Sequence, residues 1–196
     1  MLSDYTPLQL HTLAPGAELI QTDLQNCLHL KVNHPALAVM TDLLVTTAVA
    51  ISPDADIESA EERMRRRGVR LLFVLDSEGT LAGIITATDL LGEKPLQFIE
   101  RHGGLHRDIR VRDIMTPRER LEVLKLADIQ VARVGSIVAT LQRCGRQHAL
   151  VVENVEGREQ VRGLFSASRI ARQLGMEIVT TPIAQTFAEI EQELLH

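Results

Sequence analysis

Gly83-Ile84-Ile85-Thr86-Ala87-Thr88-Asp89 is met again as Gly163-Leu164-Phe165-Ser166-Ala167-Ser168-Arg169. Each copy reads as the end of an apolar strand followed by a hydroxyl residue where a helix begins. Upstream, Gly68 to Asp76 (GVRLLFVLD) lines up with Gly145 to Glu153 (GRQHALVVE), and Val39-Met40-Thr41 echoes Ile114-Met115-Thr116. The second copy carries three extra residues between Glu153 and Arg162, read as a turn insertion. A unit stated twice sets the organisation before any single motif is weighed.

In the first unit, Val49 to Ser52 reads as a short strand, and Pro53 to Asp56 as a turn ending in a helix N-cap. Ile57, Ala60 and Met64 then fall on one helical face. Glu58, Glu61 and Glu62 come early on that helix, Arg63, Arg65, Arg66 and Arg67 come late, and Gly68 stops it. Leu71 to Leu75 is a continuous apolar strand, Asp76 to Gly79 a turn, Leu81 to Ile85 a second strand, and Thr86 opens another helix. The second unit repeats this order from about Leu124, with Val134, Ile137, Val138 and Leu141 as its helical face. The fold class is α/β (α+β), with two β-α-β-β-α repeats. The division is an N-terminal arm 1–38, repeats at 39–95 and 111–175, a linker 96–110 and a C-terminal helix 176–196. The arm holds Pro7, Pro15 and Pro35 and reads as irregular chain packed on the core; Ile183, Phe187, Ile190 and Leu194 form an apolar stripe on the last helix.

The 196 residues are 45% apolar and 24% charged, the profile of a folded chain. No Lys or Arg precedes Lys31, so the basic start of a signal peptide is not expected, and the longest apolar stretch, Leu43 to Ile51, is too short to span a membrane. Cys27 and Cys144 stand far apart, which fits free thiols and a cytoplasmic location. A net charge of −5, no Trp and one Tyr argue against a nucleic-acid partner. The arginines of 63–67 complement a helix dipole, Cys144 and His148 lack helical ligand geometry, and His102 and His106 flank a Gly103-Gly104 loop. Phosphate-loop, dinucleotide, zinc-protease and nucleophile-elbow motifs are missing, which weakens an enzyme reading without excluding one, since catalytic groups can converge from distant positions; the expectation is a protein that is not an enzyme.

The repeated Gly-apolar-apolar-Thr/Ser run, the Gly-Val-Arg strand and the Met-Thr lead-ins resemble the CBS-domain family, whose tandem units pair with pseudo-two-fold symmetry. The resemblance covers about residues 40 to 175 and implies a stand-alone, bacterial-type CBS pair. It further implies clefts between the repeats that bind AMP, ADP or ATP, with S-adenosylmethionine less expected, together with a homodimer and an effector in trans. On that reading Asp89 takes the ribose, Thr86 and Thr88 take ribose or phosphate oxygens, and the adenine meets Gln147, His148 and Ala149, with Ile84 and Leu126 lining the cleft. From the residues alone, Thr86 with Asp89 three positions on reads first as a capping box, and Ser166 as a second cap; the repeat and the resemblance turn the reading toward a ligand. Arg169 breaks the pattern of the second copy and sits against its helix dipole. The pair also resembles gamma subunits of AMP-activated protein kinase, which implies that Arg169 reaches phosphate in the opposite cleft; Arg70 is the second phosphate candidate. The expectation is one competent site and one weak or empty one. Rival readings are a ligand-free structural module and a nucleic-acid-binding CBS protein.

Overall fold

Two amphipathic helices and two apolar hairpins have apolar faces to bury, and they cover each other. The computed structural model describes residues 30–180. It contains β1 (Thr41–Asp42), β2 (Ala50–Ile51), α1 (Ile57–Arg67), β3 (Leu71–Leu75), β4 (Leu81–Thr86), α2 (Ala87–Leu91) and α3 (Lys94–His102) in the first half. The second half has α4 (Val111–Ile114), β5 (Thr116–Pro117), β6 (Val123–Lys125), α5 (Leu126–Val131), α6 (Val134–Arg143), β7 (His148–Val155), β8 (Arg158–Ser166) and α7 (Ala167–Leu174). This is the mixed α and β, twice-stated architecture expected from the repeat.

Local chemistry explains the best-defined elements. Asp56 caps α1, its Oδ1 accepting from the Ser59 amide at 2.7 Å, and that bond holds the carboxyl below the usual range. Gly68 ends the helix in the left-handed conformation with φ 63°, and its counterpart Gly145 has φ 60°. On α1, Arg65 pairs with Glu61 and Glu62, and Arg66 with Glu62, so these arginines decorate an exposed helix end as the charge order implied.

Each sheet has four strands, in the orders β2-β3-β4-β5 and β1-β8-β7-β6. The order shows an exchange. Strand β5, the lead-in of the second unit, pairs with β4 of the first, while β1, the lead-in of the first, pairs with β8 of the second. The preceding turns follow: Ile109, Val111 and Ile114 are buried with Ile57, Leu72 and Ile85, whereas Ala36 and Val39 are buried with Val134, Ile137 and Phe165. Each core is therefore built from both halves of the chain.

This exchange accounts for the glycines of the repeated motif. A Cβ on Gly83 would overlap the Thr116 carbonyl and lie 3.1 Å from the Pro117 Cα; on Gly163 it would lie 2.7 Å from the Thr41 carbonyl oxygen. Both glycines serve a crossing strand from the other unit, not a turn.

The strands are apolar on both faces because both faces are covered. Leu72 and Val74 look onto the helices, while Leu71 and Phe73 meet Leu150 along a seam between the two sheets. Burying these side chains contributes about 1.5–3 kcal/mol each relative to exposure.

The structure departs from the sequence reading at four places. The linker 96–110 is helical to His102, and only then turns at Gly103 and Gly104. The three inserted residues do not form a loose loop: they lengthen the β7–β8 hairpin out to a turn at Glu156 and Gly157, both with positive φ. Helix α5 fills the interval between β6 and α6. No helix has begun between Glu177 and Thr180; Thr180 is instead buried, and the apolar stripe of Ile183 to Leu194 lies outside the described residues, as do Pro7, Pro15 and Cys27. Among the described residues no helix is long and apolar enough to cross a membrane, and Cys144 is a free, exposed thiol.

Candidate functional site

The seam between the sheets opens into two clefts related by the repeat. In each, a strand delivers its last residue to the start of a helix. The equivalence is exact in the backbone pairing: Leu71 faces Thr86 and His148 faces Ser166 across their hairpins, while the Ala87 amide bonds the Arg70 carbonyl as the Ala167 amide bonds that of Gln147, both at 2.9 Å. Thus Thr86 corresponds to Ser166, Asp89 to Arg169, and Arg70 to Gln147.

The first cleft, about 270 Å³, is lined by Ile84, Thr86, Thr88 and Asp89 from one unit and by Arg146, Gln147 and His148 from the other. Asp89 is buried, at 8% exposure. Its Oδ2 accepts from the Thr86 amide at 2.8 Å and the Thr86 hydroxyl at 2.7 Å, and the Asp89 amide donates back to Thr86 Oγ1 at 3.3 Å. The capping box is therefore formed. Asp89 Oδ1 also lies 2.5 Å from Lys94 Nζ, a partner that the sequence reading missed because it comes from the next helix. Gln147 donates to Thr180 Oγ1, and Arg146 pairs with Glu122 at 2.7 Å.

The second cleft, about 390 Å³, has a different character. It is lined by Arg70, Arg169 and Arg172 with Ser166, Ser168 and Thr41, over an apolar floor that includes Leu71 and Phe73. Ser166 does not act as the expected cap. Its hydroxyl makes no bond to the α7 backbone and meets Ser168 Oγ at 3.1 Å instead, and no acidic residue at position 169 offers the reciprocal half of a box. Arg169 Nη1 donates to Thr41 Oγ1 at 2.8 Å, a contact with the lead-in of the other unit. Arg172, one turn beyond Arg169, and Ser168, the counterpart of Thr88, could both have been read from the repeat.

The structure thus divides the expected site. Ile84, Thr86, Thr88, Asp89, Gln147 and His148 come together; Arg70 and Arg169 stand in the opposite cleft. Ala149 and Leu126 line neither cleft and pack against the core of the second unit. For Ala149 the reason is strand parity: His148 faces the clefts, so its neighbour faces the helices.

His148 is the one sequence-predicted residue on both clefts. Burial, then the Arg70 charge, pushes its imidazole down to about 4, against the opposing pull of Asp89, so the ring is neutral near pH 7. Its Nδ1 is enclosed and makes no hydrogen bond.

Residues 39–95 match the sequence profile of the CBS domain. The fold of the described residues is that of a CBS-domain pair. The CBS domain pair of protein MJ0100, in complex with 5′-methylthioadenosine and S-adenosyl-L-methionine, superposes with a TM-score of 0.50 at 16% identity, covering 74% of this chain and 98% of that one. Protein MJ1225 of Methanocaldococcus jannaschii gives 0.51 at 21% identity, covering 70% of this chain and 49% of the other. At these identities the likeness is one of fold. In sequence, the chain is 27% identical over 149 residues to an inosine-5′-monophosphate dehydrogenase of Chlorobaculum parvum, a match covering 70% of this chain and 30% of that enzyme. The chain therefore spans under a third of the length of that curated relative.

Proposed function

We propose that this CBS pair is a regulatory protein, not a catalyst, that binds an adenine nucleotide (AMP, ADP or ATP) in the Asp89 cleft and transmits its occupancy through a homodimer or a partner protein. The observation that carries the reading is a buried carboxylate, Asp89, flanked by two threonine hydroxyls at the floor of a cleft between the repeats. A carboxylate offers about four acceptor sites, and Thr86 and Lys94 use three of them. A ribose hydroxyl takes the remaining one, and the half-exposed Lys94 can yield its place to a second. Ile84 supplies an apolar surface for the base, and Gln147 and His148 supply polar edges. Arg146 lines this cleft, as Arg70 and Arg169 do not, and is the phosphate partner within it. That the CBS pair of MJ0100 holds two adenosine-containing ligands supports the same class here.

The completed capping box favours a second reading, in which the pair is a ligand-free structural module and Asp89 only closes a helix. A thermal-shift panel of AMP, ADP, ATP, S-adenosylmethionine and GTP separates the two. At about a hundredfold above Kd, a ligand adds about 2.7 kcal/mol of stability. We expect adenine ligands to raise Tm and Asp89→Asn, which keeps one acceptor oxygen, to remove the shift while the protein stays folded. No shift with any ligand overturns the proposal in favour of the structural module.

A further inference from the structure

The two clefts share a backbone plan and differ in charge at the place where a nucleoside would be read. We propose that the Arg169 cleft takes an adenine nucleotide whose ribose carries a phosphate at O2′ or O3′, while the Asp89 cleft takes one with a free ribose diol. This rests on the nucleotide reading above and goes beyond it.

The argument begins from the register. Arg169 occupies the helical position of Asp89, and Arg172 and Arg70 occupy those of Gly92 and Gln147. A carboxylate accepts hydrogen bonds and so recognises hydroxyl groups. A guanidinium only donates and cannot take a hydroxyl hydrogen, but it holds two phosphate oxygens at once. The same exchange of an acid for an arginine marks the difference between ribose and ribose-phosphate recognition in dinucleotide folds.

The surroundings agree. Among the described residues no carboxylate lines the second cleft, whereas Asp89 and Glu122 line the first. Among the described residues Arg70, Arg169 and Arg172 join none of the ion pairs, while Arg146 of the first cleft is paired with Glu122. All three are exposed, so solvent screens their mutual repulsion and their guanidiniums stay accessible to an anion. The hydroxyl of Ser166 is not committed to a cap, and helix α7, eight residues long, presents its first turn there. The apolar floor of Leu71 and Phe73 suits a base, and the cavity is larger than its counterpart, 390 against 270 Å³. The competing account is that Arg169 simply bonds Thr41 Oγ1; it gives no part to Arg70 and Arg172, which line the same cleft.

The test is isothermal titration of the full chain with AMP, adenosine 2′,5′-bisphosphate, adenosine 3′,5′-bisphosphate and inorganic pyrophosphate. The panel is run on wild type, Asp89→Asn, Arg169→Ala and Arg169→Asp, with circular dichroism to check folding. In wild type, one bisphosphate binds the second cleft at least about ten-fold tighter than AMP does. Arg169→Ala lowers the affinity for that bisphosphate about ten-fold and leaves AMP binding unchanged. Asp89→Asn loses AMP and keeps the bisphosphate, and Arg169→Asp gains a second AMP equivalent. Equal affinity for AMP and both bisphosphates overturns the inference while the Asp89 site stands. Pyrophosphate binding as tightly as the bisphosphates overturns it too, in favour of a plain anion site. No binding of any nucleotide overturns this inference and the proposed function together.

Discussion

The two ends of the pair are copies in backbone and opposites in chemistry. At one end Thr86 and Asp89 close a capping box and Lys94 neutralises the acid. At the other, Ser166 leaves its helix uncapped and Arg169 reaches across to Thr41. The comparison teaches that the fold needs the strand-to-helix corner but not the cap: α7 forms without it, held by Ala167 and Ile170 in the core. Where a residue is dispensable for folding, its identity is free to answer to a ligand.

The largest expected effect concerns His148, whose counterpart on the first strand is Leu71. Folded, it titrates at about 4, against 6.5 for an unperturbed imidazole. The unfolded chain therefore binds the proton first. The contribution of a neutral His148 is fully present above 6.5, drains away as pH falls and is spent below about 4. The loss across that window is up to about 3 kcal/mol. His148→Leu should flatten this part of the stability curve, as read by denaturant unfolding at stepped pH. An unaltered slope would show that His148 does not sit in the enclosed place between Arg70 and Asp89.

Next in size is the pair of crossing glycines. Gly83→Ala forces a methyl into the Thr116 carbonyl and Pro117, both backbone, and should cost about 1–3 kcal/mol. Gly163→Ala should cost less, since two of its three near neighbours belong to the flexible Met40 side chain. Chemical denaturation of both variants decides it; equal losses would mean that the two crossings are equally rigid.

The smallest effect tests the caps directly. Thr86→Ala removes a side-chain acceptor from α2 and should cost about 1 kcal/mol, whereas Ser166→Ala should leave stability within error of wild type. A comparable loss for Ser166→Ala would mean that its hydroxyl caps α7 in solution.

Much of the fold was legible because its signals are local. Asp56 to Gly68 spells a helix with both ends marked, and the uninterrupted run Leu71 to Leu75 spells a strand covered on both faces. The exchange of lead-ins was not legible, since β1 and β5 are two residues each and carry no periodicity. Asp89 was legible as a cap and as a ligand candidate, because both uses need the same residue at the same place. The separation of Arg70 and Arg169 from Asp89 was hidden for a different reason. Spacing along the chain gives each residue's register within its own unit, while membership of a cleft depends on how two units face each other.

The exchange also orders the birth of the molecule. Gly83 meets Pro117 after a modest stretch of chain, so the first sheet has all of its strands once β5 has been made. Asp42, made long before, must wait for Gly163. Closing so long a loop is entropically slow, and until it happens the short β1 segment has no sheet to join. A growing chain on the ribosome completes its second sheet only after β8 has been made, and with it the arginine-lined cleft to which Thr41 contributes.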